Sequence, residues 1–366
     1  MTRITRATIH LDALRANLAA ARAAAPASHV MAVLKADAYG HGLLRAAGAL
    51  AEADGFAVSC LGEAQPLRRA GYGHRIILLE GFFDADEIEA FAADRLDPVV
   101  HAPWQLELLA QHPPSEPLDV WVKVDTGMHR LGFPPRELAD VRQRLSDLPG
   151  VRGIRYITHL ACADVRDDPT TREQLQCFEA AMAGLEGERS IANSAATLAW
   201  PAAHGDWVRP GIMLYGCSPF VDHGEAPALT PALTLEARLI AVQEQAAGAR
   251  IGYGGTFVCP ERMPMGVVSI GYGDGYPRRA PNGTPVLVNG RRVAVAGRVS
   301  MDMIHVDLRN APDARPGDRV VLWGEGGLRA EEVAAHCQTI SYELLCQITA
   351  RVTFQYDGDG HGTGAP

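Results

Sequence analysis

The stretch HVMAVLK (29–35), running directly into ADAYGHG (36–42), decides the fold. It reads as a short apolar strand followed by a turn that is not G-x-G-x-x-G. A doubly wound open sheet would normally carry that glycine fingerprint after its first strand. Working outward, the same unit repeats. FAVSC (56–60), RIILLEG (75–81), LDPVVH (96–101), LDVWVKVD (118–125), VRGIRYIT (151–158), RSIAN (189–193) and WVRPGIML (207–214) read as further strands. Between them lie segments of helical period such as GLLRAAGALAEA, ADEIEAFAAD, PRELADVRQRL and TREQLQCFEAAMAGL. An Ala-rich helical stretch precedes the series. Eight β-then-α units in about 200 residues is the count that closes a (β/α)8 TIM barrel.

Beyond about residue 228 the texture changes. LTLEARLIAVQE, MGVVSIGYGDG, PVLVNGRRVAVAG, MDMIHVDL and RVVLWG are strand-like and joined by short turns, and Asn289-Gly290 is a type I′ hairpin signal. The fold class is therefore α/β: a barrel over 11–227, then a mainly antiparallel β domain over 228–356. LRAEEVAAHC and SYELLCQIT are late helix candidates, and 357–366 reads as a flexible tail.

The chain has 366 residues, 47% hydrophobic and 21% charged, which excludes wholesale disorder. With 34 basic against 43 acidic side chains the formal charge is −9. That balance, without a Lys/Arg run, argues against nucleic-acid binding. No stretch reaches 18 apolar residues, so no membrane span is expected. Asp12 and Arg15 interrupt the region where a signal peptide needs an apolar run, and a cytoplasmic protein is expected. The seven cysteines are odd in number and widely spaced, with no C-x-x-C pair. They read as reduced thiols, and no metal site is expected.

Barrel active sites sit at the carboxyl ends of the strands. Polar residues collect there: Lys35 after the first strand, Arg130 past the fifth, His159 after the sixth, Asn193 and Ser194 after the seventh, and Arg209 within the eighth. Lys35 closes an apolar run, and burial would lower its pKa, as a Schiff-base lysine requires. The segments 190–194 and 210–212 fit the usual phosphate site of such barrels, with Ser194 supplying a hydroxyl and Gly211 a close backbone approach. A phosphate-bearing aldehyde that reacts with lysine is pyridoxal 5′-phosphate.

Nine collinear stretches then carry a family resemblance. AVLKADAYGHG, VKVDTGMHRLGF, THLACAD, IANSAAT, RPGIMLYG, IGYGGTF, GYGDGYPR, GRVSMDM and TISYELLCQITARV resemble the signature segments of bacterial alanine racemases, in the family's order. The resemblance implies a pyridoxal-phosphate barrel, a head-to-tail homodimer with shared active sites, and residues 1–10 joining the C-terminal domain as a strand. It implies racemisation of alanine, in D-alanine supply for peptidoglycan or in alanine catabolism.

It also implies roles for residues. Lys35 and Tyr253 become the two catalytic bases on opposite faces of the substrate, with Tyr253 reaching in from the partner subunit. A free tyrosine titrates near 10, so local charge or hydrogen bonding must help it. Arg209 faces the pyridine nitrogen and can only donate there, which weakens the ring as an electron sink. His159 stacks on the ring. Tyr39, Asn193, Ser194, Gly211, Ile212 and Tyr342 hold the cofactor, chiefly its phosphate. Arg130 meets the substrate carboxylate, a task suited to a charge-assisted pair, and the backbone N–H of Met301 joins it from the partner with Asp302 alongside. Lys123 matches a lysine often carried as a carbamate, which would attract Arg130 where an ammonium would repel it. Tyr272 lines the access route. A crowded site favours a methyl side chain, though a methylene is worth only about 1–3 kcal/mol of discrimination.

Rival readings differ in stated residues. A pyridoxal-phosphate decarboxylase would need an acidic partner for the pyridine nitrogen, and Arg209 opposes that. A metal-assisted aldolase would need a late His/Cys or His/Asp pair; His336-Cys337 is the only adjacent one, and it reads as core packing. A non-catalytic cofactor carrier would lack the β domain that bears IGYGGTF.

Overall fold

The computed structural model describes residues 4–220 and 228–358. The expected tail lies outside the described residues beyond 358. Strand β1 (Arg6–His10) and helix α1 (Leu11–Ala24) precede eight strands: β2 (His29–Val33), β3 (Gly55–Val58), β4 (Arg75–Leu78), β5 (Asp97–Val100), β6 (Leu118–Lys123), β7 (Val151–Ile157), β8 (Arg189–Ser190) and β9 (Trp207–Val208). All pair in parallel, and β9 returns to β2 through His29 opposite Trp207, closing the barrel. Phe56, Trp121 and Tyr156 are among its large buried side chains. At the amino-terminal mouth, Arg75 meets Asp97 at 2.5 Å and Arg155 meets Asp119 at 3.4 Å. That ionic plug leaves the opposite rim as the place for a ligand.

The strands are shorter than the apolar runs suggest. WVRPGIML forms a ladder only at Trp207–Val208, because Pro210 has no N–H to donate and Ile212–Tyr215 curls into a 3-10 turn. Arg209 therefore stands just past β9, not within a strand. RSIAN likewise pairs only at Arg189–Ser190 before the chain bends into the helix Ser194–Ala199.

The second unit comprises β10 (Leu233–Gln245), β11 (Arg250–Ile251), β12 (Phe257–Val258), β13 (Met263–Val268), β14 (Pro285–Val288), β15 (Arg291–Val295), β16 (Ile304–Asp307), β17 (Arg319–Trp323) and β18 (Thr353–Asp357). Its main sheet runs β13-β16-β15-β14-β17-β10-β1-β18, and β13 also pairs with β10, so six strands form a second ring. The pairings are antiparallel except β1 with β18. Asn289 and Gly290 both take positive φ (49° and 78°) between Val288 and Arg291, as a type I′ turn requires. Strand β1 belongs to this sheet, between β10 and β18, before α1 hands the chain to the barrel.

Immediately after β2 the backbone reverses hand. Ala36, Asp37, Ala38 and Tyr39 all sit near φ 52–54°, a left-handed turn that costs about 1–2 kcal/mol per L-residue. Surrounding contacts hold it. Leu34 O accepts from Ala38 N (2.8 Å), Asp37 Oδ1 from Leu43 N (2.7 Å), and Glu63 Oε1 from Ala36 N (2.7 Å). Ala36 is exposed, so glycine there relieves strain without removing packing. Ala36→Gly is expected to raise stability by roughly 0.5–1 kcal/mol, strain relief outweighing the extra freedom of the unfolded chain. Urea unfolding at fixed protein concentration checks it; a loss of stability would mean that the turn carries no strain at Ala36.

Candidate active site

The reversed turn places Lys35 at the carboxyl rim of the barrel, lining a cavity of about 730 Å³. Burial lowers the pKa of its ammonium, and the nearby charge of Arg130 lowers it further. The shift favours the neutral, nucleophilic amine. The same turn aims Tyr39 inward, stacked on Tyr215 at 4.6 Å and tilted against Tyr342 at 5.8 Å. Tyr215 is buried and donates to Val33 O at 2.7 Å, pinning the end of β2. Burial pushes the phenols of Tyr39 and Tyr342 upward, so both act as neutral donors.

Arg209 is 4% exposed and donates to Ser190 Oγ (2.6 Å), Thr158 O (2.7 Å) and His159 Nδ1 (3.3 Å). Burial pulls its pKa down to about 9, which still leaves it cationic at neutral pH. An accepting Nδ1 puts the His159 proton on Nε2. Burial, then the charge of Arg209, drives the His159 pKa well down, so the ring is neutral. Beneath it Gln174 donates to His159 O (3.0 Å) and accepts from Ala161 N (2.8 Å).

Ser194 opens a short helix whose N-cap is Asn193, with Asn193 Oδ1 accepting from Ala196 N at 3.0 Å. Asn193 lines the cavity, but its side-chain oxygen is spent on the cap. Ser194 Oγ accepts from Gly211 N (2.8 Å), so the Gly211 amide is engaged rather than open to a ligand; the Ser194 hydroxyl hydrogen remains to be donated. Gly211 is still required, since a Cβ there would press on the Tyr39 hydroxyl. Ile212 lines the cavity beside it.

Lys123, at the end of β6, faces the same space, and burial with the charges of Arg209, Arg130 and Lys35 lowers its pKa to about 7. Arg130 follows on a loop shaped by Asp125, which accepts from the amides of Gly127 (3.1 Å) and His129 (2.9 Å). Glu63 bridges the loops after β2 and β3 through Ala36 N and Ser59 N. Glu63, Glu80, His101, Tyr215, Gln174 and Cys346 were not singled out from sequence. Glu63 sits in the first turn of the helix Leu61–Arg69.

Eleven of the residues singled out from sequence thus share one cavity: Lys35, Tyr39, Lys123, Arg130, His159, Asn193, Ser194, Arg209, Gly211, Ile212 and Tyr342. Tyr253, Tyr272, Met301 and Asp302 do not line it. Tyr253 stands on a turn with three neighbouring positive-φ glycines and is 68% exposed; Met301 is 52% exposed. His336 is exposed and only Cys337 is buried, so that pair is not joint core packing. Among the described residues no group of three His, Cys, Asp or Glu could hold a metal ion. No helix among them is long and apolar enough to cross a membrane.

Comparison with known proteins completes the picture. The family model "Alanine racemase, N-terminal domain" matches residues 9–219, and "Alanine racemase, C-terminal domain" matches 232–356. An alanine racemase of Halorhodospira halophila is 57% identical over 96% of this chain and 97% of its own. A catabolic alanine racemase of Pseudomonas putida is 50% identical over 98% of this chain and all of its own. The crystal structure of a biosynthetic alanine racemase from Pseudomonas aeruginosa superposes with a TM-score of 0.94 at 49% identity, covering 98% of this chain and 100% of that one. On two family models spanning nearly its whole length, and on relatives at half identity or more, the chain belongs to the alanine racemase family.

Proposed function

We propose that this protein interconverts L- and D-alanine with pyridoxal 5′-phosphate, as a cytoplasmic homodimer whose two active sites are shared between subunits. The observation that carries the shared-site reading is the division of the machinery. The Lys35 cavity is lined by the barrel with Tyr342 and Cys346 of the same chain's C-terminal unit, while Tyr253 and Met301 stand exposed on the β domain, outside its lining. A second subunit, head to tail, brings the two halves together.

The donor set fits the cofactor. Ser194 and Tyr39 offer hydroxyl donors and Ile212 a backbone approach for a phosphate, His159 presents a neutral ring face, and Arg209 a permanent donor. When bound, the cofactor supplies an electron-withdrawing ring, joined to the substrate amine, that acidifies the Cα proton. Arg209, cationic at neutral pH, would offer the pyridine nitrogen only a donor, which would leave that nitrogen unprotonated and weaken the ring as an electron sink. Lys35 Nζ, whose charged form burial disfavours, takes or returns the proton on one face of Cα; Tyr253 Oη of the partner subunit serves the other. Arg130 and the Met301 amide of the partner subunit orient the carboxylate, and Tyr272 borders the access route. Lys123, with its pKa near 7, is neutral often enough to add carbon dioxide, and the resulting carbamate holds Arg130 by opposite charge. The product D-alanine would serve peptidoglycan synthesis, or the reverse reaction alanine catabolism.

Mixing separately inactive Lys35→Ala and Tyr253→Phe subunits tests the reading. Each heterodimer should regain one intact site, giving up to about a quarter of wild-type activity for random pairing. Folded dimers that mix but stay inactive would overturn shared sites, as would full turnover by a monomer.

A further inference from the structure

We propose that Arg351 is a positioning residue for the substrate carboxylate, clamping the turn Tyr272–Asp274 and the loop 300–303 into one platform that presents the Met301 amide to the partner's cavity. The inference rests on the reading that Met301 serves the partner's site. Arg351 lies in TISYELLCQITARV, a segment whose arginine has no other assignment. Its guanidinium reaches two carboxylates at once: Nη2 donates to Asp302 Oδ1 at 2.6 Å, and Nε stands 3.5 Å from Asp274 Oδ1. Asp274 is fully buried, and its other oxygen accepts from Gly271 N at 3.0 Å.

The two segments touch backbone to backbone. Tyr272 N donates to Ser300 O (3.1 Å) and Gly273 N to Met301 O (2.9 Å), and a Cβ on Gly271 would collide with both carbonyls. Thr349, two residues before Arg351, ties the turn from below through its amide to Asp274 O (3.2 Å) and its hydroxyl to Gly273 O (2.9 Å). The carbonyls of Ser300 and Met301 are thus turned toward Tyr272–Gly273, and the Met301 amide finds no acceptor among the described residues. Arg351 also neutralises Asp302, whose bare carboxylate beside Met301 would repel an incoming amino-acid carboxylate. A planar fork can meet two carboxylates through separate nitrogens, where a lysine offers one nitrogen for both.

Arg351→Lys, which keeps the charge and loses the fork, should raise KM for both alanine enantiomers about tenfold, the effect of one lost hydrogen bond between charged groups, with kcat little changed. Amide hydrogen exchange at 300–303 should quicken. Asp302→Asn combined with Arg351→Lys should cost less than the sum of the single variants, because both alter the Arg351–Asp302 contact. Hybrid dimers locate the effect. Lys35→Ala and Arg351→Lys on one chain, paired with Tyr253→Phe, puts the altered clamp in the working site and should carry the raised KM. With Arg351→Lys moved to the Tyr253→Phe chain, the KM should return to that of the plain hybrid. Equal KM in the two arrangements, or additive effects with Asp302→Asn, would overturn the clamp while leaving shared sites intact. An inactive plain hybrid would overturn shared sites, and this proposal with them.

Discussion

Lys35→Ala is expected to reduce racemisation by at least about 10⁴-fold, since on the proposed mechanism it removes both the covalent anchor of the cofactor and one proton relay. The visible absorption of a lysine-bound pyridoxal phosphate should vanish with it. The reason lies in the site: Lys35 is the cavity lysine that follows the first barrel strand, and the reversed turn begins at the next residue. Lys35→Arg should be equally inactive, because a guanidinium stays protonated and can neither condense with an aldehyde nor accept the Cα proton. Full activity in Lys35→Ala, with the cofactor bound at Lys123 instead, would show that the assignment of the anchor is wrong.

Tyr253→Phe is expected to cost about 10²–10⁴-fold in racemisation, the usual loss for one proton relay. Its signature is asymmetric. In the proposed mechanism Lys35 and Tyr253 serve opposite faces of Cα, so each should exchange a proton with one enantiomer only. Without the Tyr253 hydroxyl, abstraction from L-alanine fails, while Lys35 still labilises the Cα proton of D-alanine. Deuterium incorporation from solvent, followed separately for each enantiomer, reads this directly. Exchange surviving on the D side alone supports two bases. Equal residual exchange into both enantiomers would mean that one base serves both faces and that Tyr253 is structural.

The barrel was legible because short continuous apolar runs alternating with period-3.6 segments leave few other topologies, and the carboxyl-end rule then ranks polar residues by position alone. Lys35, His159 and Ser194 were visible for that reason. What escaped depends on contacts distant in sequence. The stretch ADAY has no glycine, so nothing local announces four left-handed residues; Glu63 and Leu43 impose them from outside the turn. The departure of Arg209 from its strand was written in the following Pro210, a signal outweighed by the apolar run around it. The engagement of the Gly211 amide depends on Ser194, 17 residues earlier. The pairing of β13 with β10 that closes the second ring joins strands whose local patterns say nothing about which edges meet.

The place of β1 between β10 and β18 sets an order of events during synthesis. Residues 6–10 leave the ribosome well before their parallel neighbour, residues 353–357. At about 5–20 residues per second, roughly 20–70 s pass between the two. The barrel can be complete while β1 still shows bare amides and carbonyls along one side, a template for pairing with another chain. Any truncation ahead of residue 353 would make that interval permanent. Nascent chains of this protein therefore carry their aggregation hazard at the amino terminus, and it is cleared only when the last strand arrives to cover the first.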